Sequence, residues 1–459
     1  MFYKFLKMKK LIFALLILCC TNFISSAAAP KAITPETALQ AYLHNSDNSF
    51  KWEVKEKMKG DGVMLYRLEY TSQVWRGITW KHEMFIMVPE VLTYSDALLF
   101  ITGGHNDNTV PSTHRWDEDL VVSLSDLAKT NKSIVSLIWQ VPNQPLYGDR
   151  TEDALISFTL HSYLQDHDFT WPLLFAMTKS AVKAMDVVQK FAKKEVKKNI
   201  DHFIVSGASK RGWTTWLTGA NDKRVKAIGP MVIDVLNMPV NIDYQKVVWG
   251  DYSIEIEDYV KLGIAQQFNT PGGSDLVKMV DPYSYRKLLT MPKMLFMGTN
   301  DPYWPADAVK NYIDSIPGDN HICYTPNAAH DLGDKKKAFA TLSAFVGTTV
   351  TNGKYPICNY TISQDNRTIT LKIKSTPEIL VDALIWSADS KDQDFRDEHW
   401  SGSSLNAANQ KDITVQVQVP ETGFKAFYVD LKYKSPFGAD YTQSTRMFVA
   451  NDSKLLLRN

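Results

Sequence analysis

A short β-rich segment that turns at once into a helical pattern constrains the fold of this chain more than any other feature. The segment comprises residues 203–213, FIVSGASKRGW. Gly207 suits a tight turn between a strand and a helix, and Ser209 lies at the tip of that turn. An elbow of this kind lifts a serine hydroxyl above the edge of a parallel sheet. The segment therefore predicts that Ser209 is a nucleophile.

Two later segments offer the acid and the base that such a serine needs. Asp301 follows a predicted strand at 293–298, and His330 follows the predicted strand at 322–325. A serine hydroxyl is a weak nucleophile at neutral pH unless a base, itself oriented by an acid, lies beside it. Serine, then acid, then histidine is the chain order of α/β-hydrolases. We therefore predict a triad of Ser209, His330 and Asp301.

The identity of the acid is left open at this point. Asp234 directly follows the predicted strand at 227–233 and could take the place of Asp301. A third interpretation makes Asp301 only a turn residue before Pro302. Position after a strand is the sole basis for choosing among them, and it favours Asp301.

Two backbone amides are candidates for holding the negative oxygen of the reaction. The amide of Lys210 directly follows the nucleophile, and glycines 103 and 104 follow the predicted strand at 97–102, as in the oxyanion loops of lipases and esterases. We place the second donor at Gly104. One departure from the usual G-x-S-x-G pattern is Arg211, which needs room that a glycine would not.

Other polar residues near these motifs are candidates for contact with a substrate. They are His105, Arg211, Glu152 and Asp153. Lys210 and Arg211 would favour an acidic substrate if they point inward. In the alternative interpretation both are surface charges paired with acids of the insertion described next, such as Asp251, Glu255 or Glu257.

The region from 30 to 350 alternates buried strands with helical patterns, which predicts a doubly wound α/β-hydrolase-like sheet. The clearest helix is predicted over 171–196. A long segment at 236–290 separates two strands and predicts a cap over the strand ends, where ligands bind in such sheets. Residues 351–459 contain short β-rich runs at 368–373, 379–388, 412–419 and 424–433, which predict a β-sandwich-like domain.

The first 29 residues predict a cleaved signal peptide, with a basic start, a short apolar run and small residues at 25–29. We therefore expect a secreted or periplasmic protein without stable membrane insertion. Its formal net charge of +1 falls by four when the leader's lysines leave, which gives no reason to expect nucleic acid. Cys323 and Cys358 remain, and whether they pair is open. No metal, nucleotide or other cofactor motif occurs.

At the elbow GASKRGWTTW (207–216), at GTNDP (298–302) and at Ala329-His330, the chain resembles the PhoPQ-activated pathogenicity-related proteins, the PqaA family. The resemblance covers about residues 35–450 and includes Glu152 and Asp153. That family also contains secreted autocrine proliferation repressors of social amoebae. The resemblance implies an α/β-hydrolase-like fold, export, the triad and an association with virulence, and it leaves the substrate open.

Two functions are compatible with these observations. In the first, the protein is a serine hydrolase that cleaves a small-molecule ester or a peptide bond. In the second, it is a secreted signalling protein that uses the same scaffold to bind a cell-surface partner without catalysis.

Overall fold

The computed structural model describes residues 32–107, 110–437 and 440–457. The predicted signal peptide at 1–29 lies outside these residues. In the described part of the chain, no helix is long and apolar enough to cross a membrane.

Helices and strands are numbered along the chain. The helices are α1 (Pro35–Leu43), α2 (Asp119–Asn131), α3 (Glu152–Asp166), α4 (Leu173–Phe191), α5 (Lys210–Asn221), α6 (Met238–Trp249), α7 (Glu257–Lys261), α8 (Pro271–Val280) and α9 (Lys336–Val350). The strands are β1 (Lys51–Lys59), β2 (Val63–Trp75), β3 (Ile78–Pro89), β4 (Asp96–Ile101), β5 (Asn106–Asp107), β6 (Val110–Pro111), β7 (Val135–Ile138), β8 (His202–Ala208), β9 (Val225–Met231), β10 (Lys293–Gly298), β11 (Asn320–Thr325), β12 (Asn359–Asp365), β13 (Thr368–Lys374), β14 (Leu380–Ser390), β15 (Ser401–Ser404), β16 (Asp412–Gln418), β17 (Phe424–Tyr433), β18 (Tyr441–Ser444) and β19 (Phe448–Asn451).

One large sheet organises the molecule. Its order is β1-β2-β3-β7-β4-β8-β9-β10-β11-β18-β17-β14-β15, with β19 beside β17. The strands from β7 to β11 are parallel, whereas β1, β2 and β3 form an antiparallel start. The carboxyl ends of β8, β10 and β11 therefore meet at one edge, which brings the three triad loops together. The strand order confirms the predicted α/β-hydrolase-like sheet.

Helices cover both faces of this sheet. Alternate residues of β4 point to opposite faces, so that Leu99 packs in one apolar core and Leu98 in the other. Helices α4 and α5 contribute to the first core, and α2 and α9 contribute to the second. Strands buried on both faces account for the continuous apolar runs in the sequence.

The predicted insertion forms a cap at the end of the sheet that carries the elbow. It contains α6, α7, α8 and the 3₁₀ turns Ile254–Ile256, Ala265–Gln267 and Pro282–Leu288. Six of its side chains border a cavity next to Ser209, and they are Met238, Ile242, Ile256, Tyr259, Ala265 and Phe268. The insertion therefore covers the predicted nucleophile.

The C-terminal region has two layers, and one of them continues the large sheet. Strands β12, β13 and β16 form a separate sheet, whose apolar side chains share a core with β14 and β17. The other layer consists of β14, β15, β17, β18 and β19. It continues the large sheet because β18 pairs with β11 through Ser444 and Ile322. From Pro35 onwards, the described residues form one compact unit. Cys323 and Cys358 are both free thiols.

Candidate active site

The elbow at Ser209 holds a backbone conformation that few residues other than glycine adopt. Ser209 has φ 59° and ψ −124° and directly precedes α5. Two glycines permit the close packing around it. A Cβ on Gly207 would lie 2.8 Å from the Ile101 carbonyl oxygen, and one on Gly212 would lie 2.8 Å from the Met231 carbonyl oxygen. Strain of this kind is characteristic of functional sites, where it fixes a reactive side chain.

The three predicted triad residues are hydrogen-bonded in series. His330 Nε2 lies 2.9 Å from Ser209 Oγ, and His330 Nδ1 lies 2.8 Å from Asp301 Oδ2. The Asp301 side chain is 8% exposed and that of His330 is 22% exposed. A buried carboxylate beside Nδ1 favours the tautomer in which Nε2 is free to accept the serine proton. The arrangement therefore has the geometry required of a nucleophile, a base and an orienting acid.

Backbone contacts between two loops fix the acid relative to the histidine. The Asn300 amide donates to the Ala328 carbonyl oxygen at 3.0 Å. A Cβ on Gly298 would overlap the carbonyl oxygens of Ala328 and Ala329, so only glycine allows β10 to end this close to the histidine loop. The Tyr303 amide donates to Asp301 Oδ1 at 2.9 Å, which holds the second carboxylate oxygen.

Asp234 occupies a separate buried position. Its carboxylate has an oxygen without a hydrogen-bond partner in the described structure. Burial, the largest cause, raises the pKa of Asp234 to about 7, and the nearby Asp301 carboxylate adds to the rise. The carboxylate that hydrogen-bonds His330 is that of Asp301.

Tyr303 is a site residue that the sequence analysis missed. Its ring stacks on the His330 imidazole at a centroid distance of 4.2 Å, which limits rotation of that imidazole. Burial raises the pKa of Tyr303, so its hydroxyl stays protonated. The position of Tyr303, two residues after the acid, is the only feature of the sequence that could have indicated it.

Arg211 has the room that the sequence pattern left unexplained. Its two terminal nitrogens donate to the Glu152 carboxylate at 2.7 and 2.6 Å, and its Nε donates to the Val141 carbonyl oxygen at 2.5 Å. A Cβ on Gly103 would overlap the guanidinium. Gln144 also donates to Glu152, at 2.7 Å. The space normally provided by a glycine two residues after the serine is thus provided by Gly103.

Lys210 is paired in the same way with the neighbouring acid. Its ammonium lies 2.6 Å from Asp153 Oδ2, and the two side chains are 12% and 15% exposed. The Tyr259 hydroxyl donates to the other Asp153 oxygen at 2.9 Å. The alternative interpretation, in which these cations pair with cap acids such as Asp251, Glu255 or Glu257, is wrong in its choice of partners. Lys210 pairs with Asp153, and Arg211 pairs with Glu152.

The amides predicted to hold an oxyanion belong to Lys210, which directly follows Ser209, and to Gly104, in the loop after β4. Lys210 is the first residue of α5, so its amide has no partner within the helix. Gly104 has φ 149°, and its carbonyl oxygen accepts from Gln144 at 3.1 Å. Its neighbour Gly103 borders the same cleft as Ser209. His105 is exposed on the loop beyond.

Two spaces meet at Ser209 and His330. The first is a narrow apolar cavity of about 40 Å³ beneath the cap. The second is a wide cleft of about 660 Å³ between the N-terminal ends of α2 and α9, with Asp119, Asp334 and Lys336 along it. Among the residues that the structure describes, no cluster of three or more His, Cys, Asp or Glu could hold a metal ion.

A segment of the C-terminal region, residues 395–400, contacts the loops that carry the acid and the histidine. We call this segment the C-terminal clamp. Asn300 Nδ2 donates to three of its carbonyl oxygens, at 3.2, 3.0 and 2.8 Å. Asn327 exchanges two hydrogen bonds with the Trp400 backbone, at 2.9 and 2.8 Å. The C-terminal region therefore supports the site, although it lies far from it in sequence.

Replacing Asn327 with alanine should loosen the histidine loop. The change leaves the buried Trp400 amide without its partner, which costs about 1–3 kcal/mol. We expect a lower melting temperature. At temperatures well below the melting point, we also expect a reduced kcat for ester hydrolysis with little change in KM. Asn359→Ala, at an exposed position of β12, is the matched control. If the two variants had equal melting temperatures and equal kcat values, the C-terminal clamp would contribute nothing to stability or to the position of the histidine loop.

The Glu152–Arg211 pair should stabilise the fold at neutral pH and lose this effect in acid. Burial alone would raise the pKa of Glu152, but the Arg211 guanidinium and hydrogen bonds lower it below the ordinary value. A depressed carboxyl pKa gives stability that is complete above the unfolded pKa and is lost as the pH falls through the folded pKa. Glu152→Gln should therefore melt below the wild type at pH 7, and the difference should shrink towards pH 3. A constant difference would contradict this assignment.

Similar proteins are known from sequence and from structure. The chain is 29% identical over 443 residues to autocrine proliferation repressor protein A of Dictyostelium discoideum, covering 88% of each chain. Acetyl xylan esterase 1 from Thermoanaerobacterium sp. shares 16% identity at a TM-score of 0.44, covering 64% of this chain and 88% of the esterase. Glucuronoyl esterase from Solibacter usitatus shares 14% identity at a TM-score of 0.39, covering 68% of this chain and 92% of the esterase.

A family model extends the first of these similarities over most of the chain. The model of the PhoPQ-activated pathogenicity-related proteins matches residues 39–396, which include the elbow, the acid loop, the histidine loop and part of the clamp. The resemblance predicted from the sequence motifs is thereby confirmed: this chain belongs to the PhoPQ-activated pathogenicity-related protein family.

Proposed function

We propose that this protein is an exported serine hydrolase that cleaves a carboxylic ester or an amide bond. The observation that supports the proposal is the hydrogen-bonded series from Ser209 Oγ through His330 to Asp301. The strained elbow and the cap cavity beside the same serine support it further, because a nucleophile needs both a fixed position and a space for its substrate.

In the first half of the reaction, Ser209 Oγ attacks the substrate carbonyl carbon while His330 Nε2 takes the hydroxyl proton. The carbonyl oxygen becomes an oxyanion, which the amides of Lys210 and Gly104 stabilise. The intermediate collapses with cleavage of the bond to the leaving group. His330 returns the proton to that group, and an acyl-serine remains.

In the second half, water repeats the attack on the acyl-serine. His330 takes a proton from the water, the new tetrahedral intermediate releases Ser209, and the proton returns to its Oγ. The Asp301 carboxylate accepts a hydrogen bond from Nδ1 throughout and stabilises the imidazolium that forms twice in each cycle. The products are a carboxylic acid and an alcohol or amine.

A fluorophosphonate probe tests the proposal most directly, because it reacts with activated serines. We expect one labelled site, which peptide mass mapping assigns to Ser209. Ser403→Ala, at an exposed position of β15, should label like the wild type. Folded protein that carries no label on Ser209 would overturn the proposal.

A second candidate function is signalling without catalysis, in which the protein binds a cell-surface partner. It is favoured by the similarity to a protein named an autocrine proliferation repressor. The discriminating experiment compares wild type and Ser209→Ala in a cell-proliferation assay. Equal potency supports binding alone, whereas loss of potency in a folded variant supports catalysis.

A further inference from the structure

The charged side chains in the apolar cavity beneath the cap already have partners within the protein. Besides His330, its charged side chains are Asp153 and Lys210, which neutralise each other at 2.6 Å. The Tyr259 hydroxyl donates to the remaining Asp153 oxygen, and burial raises the pKa of Tyr259, so this donor stays protonated. Apart from His330, the described residues that line this cavity offer no unpaired charge to a charged substrate group.

We propose that this cavity is the acyl site and that it takes a short, uncharged aliphatic acyl group. The inference rests on the proposed function, and it adds the class of substrate: neutral short-chain esters. The wide cleft on the other side of Ser209 then takes the alcohol portion.

The size of the cavity sets the length of the acyl group. Its volume is about 40 Å³. On the same measure the cleft on the other side of Ser209 has about 660 Å³, so the cavity is by far the smaller of the two spaces. The cavity therefore suits a short acyl chain, and the cleft suits the larger part of the substrate. The wall includes large buried side chains such as Trp213, Trp304 and Phe268, which cannot move aside at low cost.

The order of the reaction decides which part of the substrate lies in which space. The alcohol leaves first, while the acyl group stays bound to Ser209. A leaving group in the cavity of about 40 Å³ would have little room to pass the acyl-serine, whereas the cleft of about 660 Å³ leaves room for it to depart. His330, which protonates the leaving group, borders both spaces. The acyl group therefore belongs in the cavity.

An acidic acyl group should be rejected for an electrostatic reason. A second carboxylate next to Asp153 would be buried, would repel it and would compete for Lys210. Burying a charge without a partner of its own is costly. We therefore expect succinyl esters to be poorer substrates than butyryl esters of equal chain length.

The experiment is a series of 4-nitrophenyl esters with one leaving group: acetate, butyrate, octanoate and hemisuccinate. The wild type should hydrolyse acetate and butyrate with a kcat/KM at least about 10-fold above octanoate and hemisuccinate. Phe268→Ala should raise the octanoate-to-acetate ratio, and Ala265→Val should lower the butyrate-to-acetate ratio. Val247→Ala, on the exposed face of α6, is the matched control and should leave both ratios unchanged.

Because each ratio is measured within one variant, a partly unfolded preparation does not alter it. Preference for octanoate or hemisuccinate in the wild type, or ratios that do not shift in either cavity variant, would overturn the acyl-site inference. Failure of the proposed function is distinguishable from this outcome, since the protein would then take no fluorophosphonate label and hydrolyse none of the four esters.

Discussion

Replacing Ser209 with alanine should reduce ester hydrolysis by about 10⁴-fold or more. The change removes the hydroxyl that forms the acyl intermediate in the proposed reaction. It leaves the fold intact, since the hydroxyl lost is the partner of His330 rather than a packing group. The measurement is the initial rate with 4-nitrophenyl acetate, together with circular dichroism to verify folding.

Replacing His330 with alanine should reduce the rate of ester hydrolysis by a similar factor. The double variant that carries both Ser209→Ala and His330→Ala should be no slower than either single variant. Residues that act as one catalytic unit lose nearly everything at the first substitution. If the two losses instead multiplied, Ser209 and His330 would be acting independently and the triad would be wrong.

Replacing Gly298 with alanine should disable the site without touching any triad residue. The new methyl group would overlap the carbonyl oxygens of Ala328 and Ala329, which are backbone atoms and cannot turn aside. The histidine loop has to move, and a displacement of about 1 Å in a catalytic group costs about 100-fold in rate. We therefore expect kcat to fall by about 100-fold. The melting temperature should also fall by several degrees.

Gly272→Ala is the control for this prediction. Gly272 lies in α8, where an added Cβ would make only an ordinary contact with Leu164 at 3.4 Å. Alanine in a helix lowers the entropy of the unfolded chain, so this variant should be as active as the wild type and slightly more stable. Equal behaviour of the Gly298→Ala and Gly272→Ala proteins would refute the argument from the close approach of the two loops.

The parts of the fold that follow from local pattern could be predicted from the sequence. Strands β4, β8 and β10 are continuous apolar runs because they are buried on both faces. Strand β1 was not predicted because its sequence, KWEVKEKMK, belongs to an exposed edge, where lysines protect against unwanted pairing. Strands β18 and β19 have four residues each, and their pairing depends on contacts distant in sequence.

The same distinction holds for the site. Ser209, Asp301 and His330 each follow a strand, and parallel strands bring their ends to one edge, so local pattern was enough to nominate them. The partners of Lys210 and Arg211 were not predictable, because they depend on where α3 begins relative to α5. Nothing local links Asn300 or Asn327 to the C-terminal clamp, since about 75 to 100 residues separate each pair.

The C-terminal clamp has a consequence for the timing of activity during synthesis. A chain made from its N-terminus presents Ser209 first, then the acid and histidine loops, and the clamp only afterwards. Until residues 395–400 have docked, Asn300 and Asn327 lack the partners that hold those two loops. A growing chain can thus expose its elbow serine while the site is still incomplete. Under the proposed function, hydrolysis would therefore begin only when synthesis of the molecule is nearly finished.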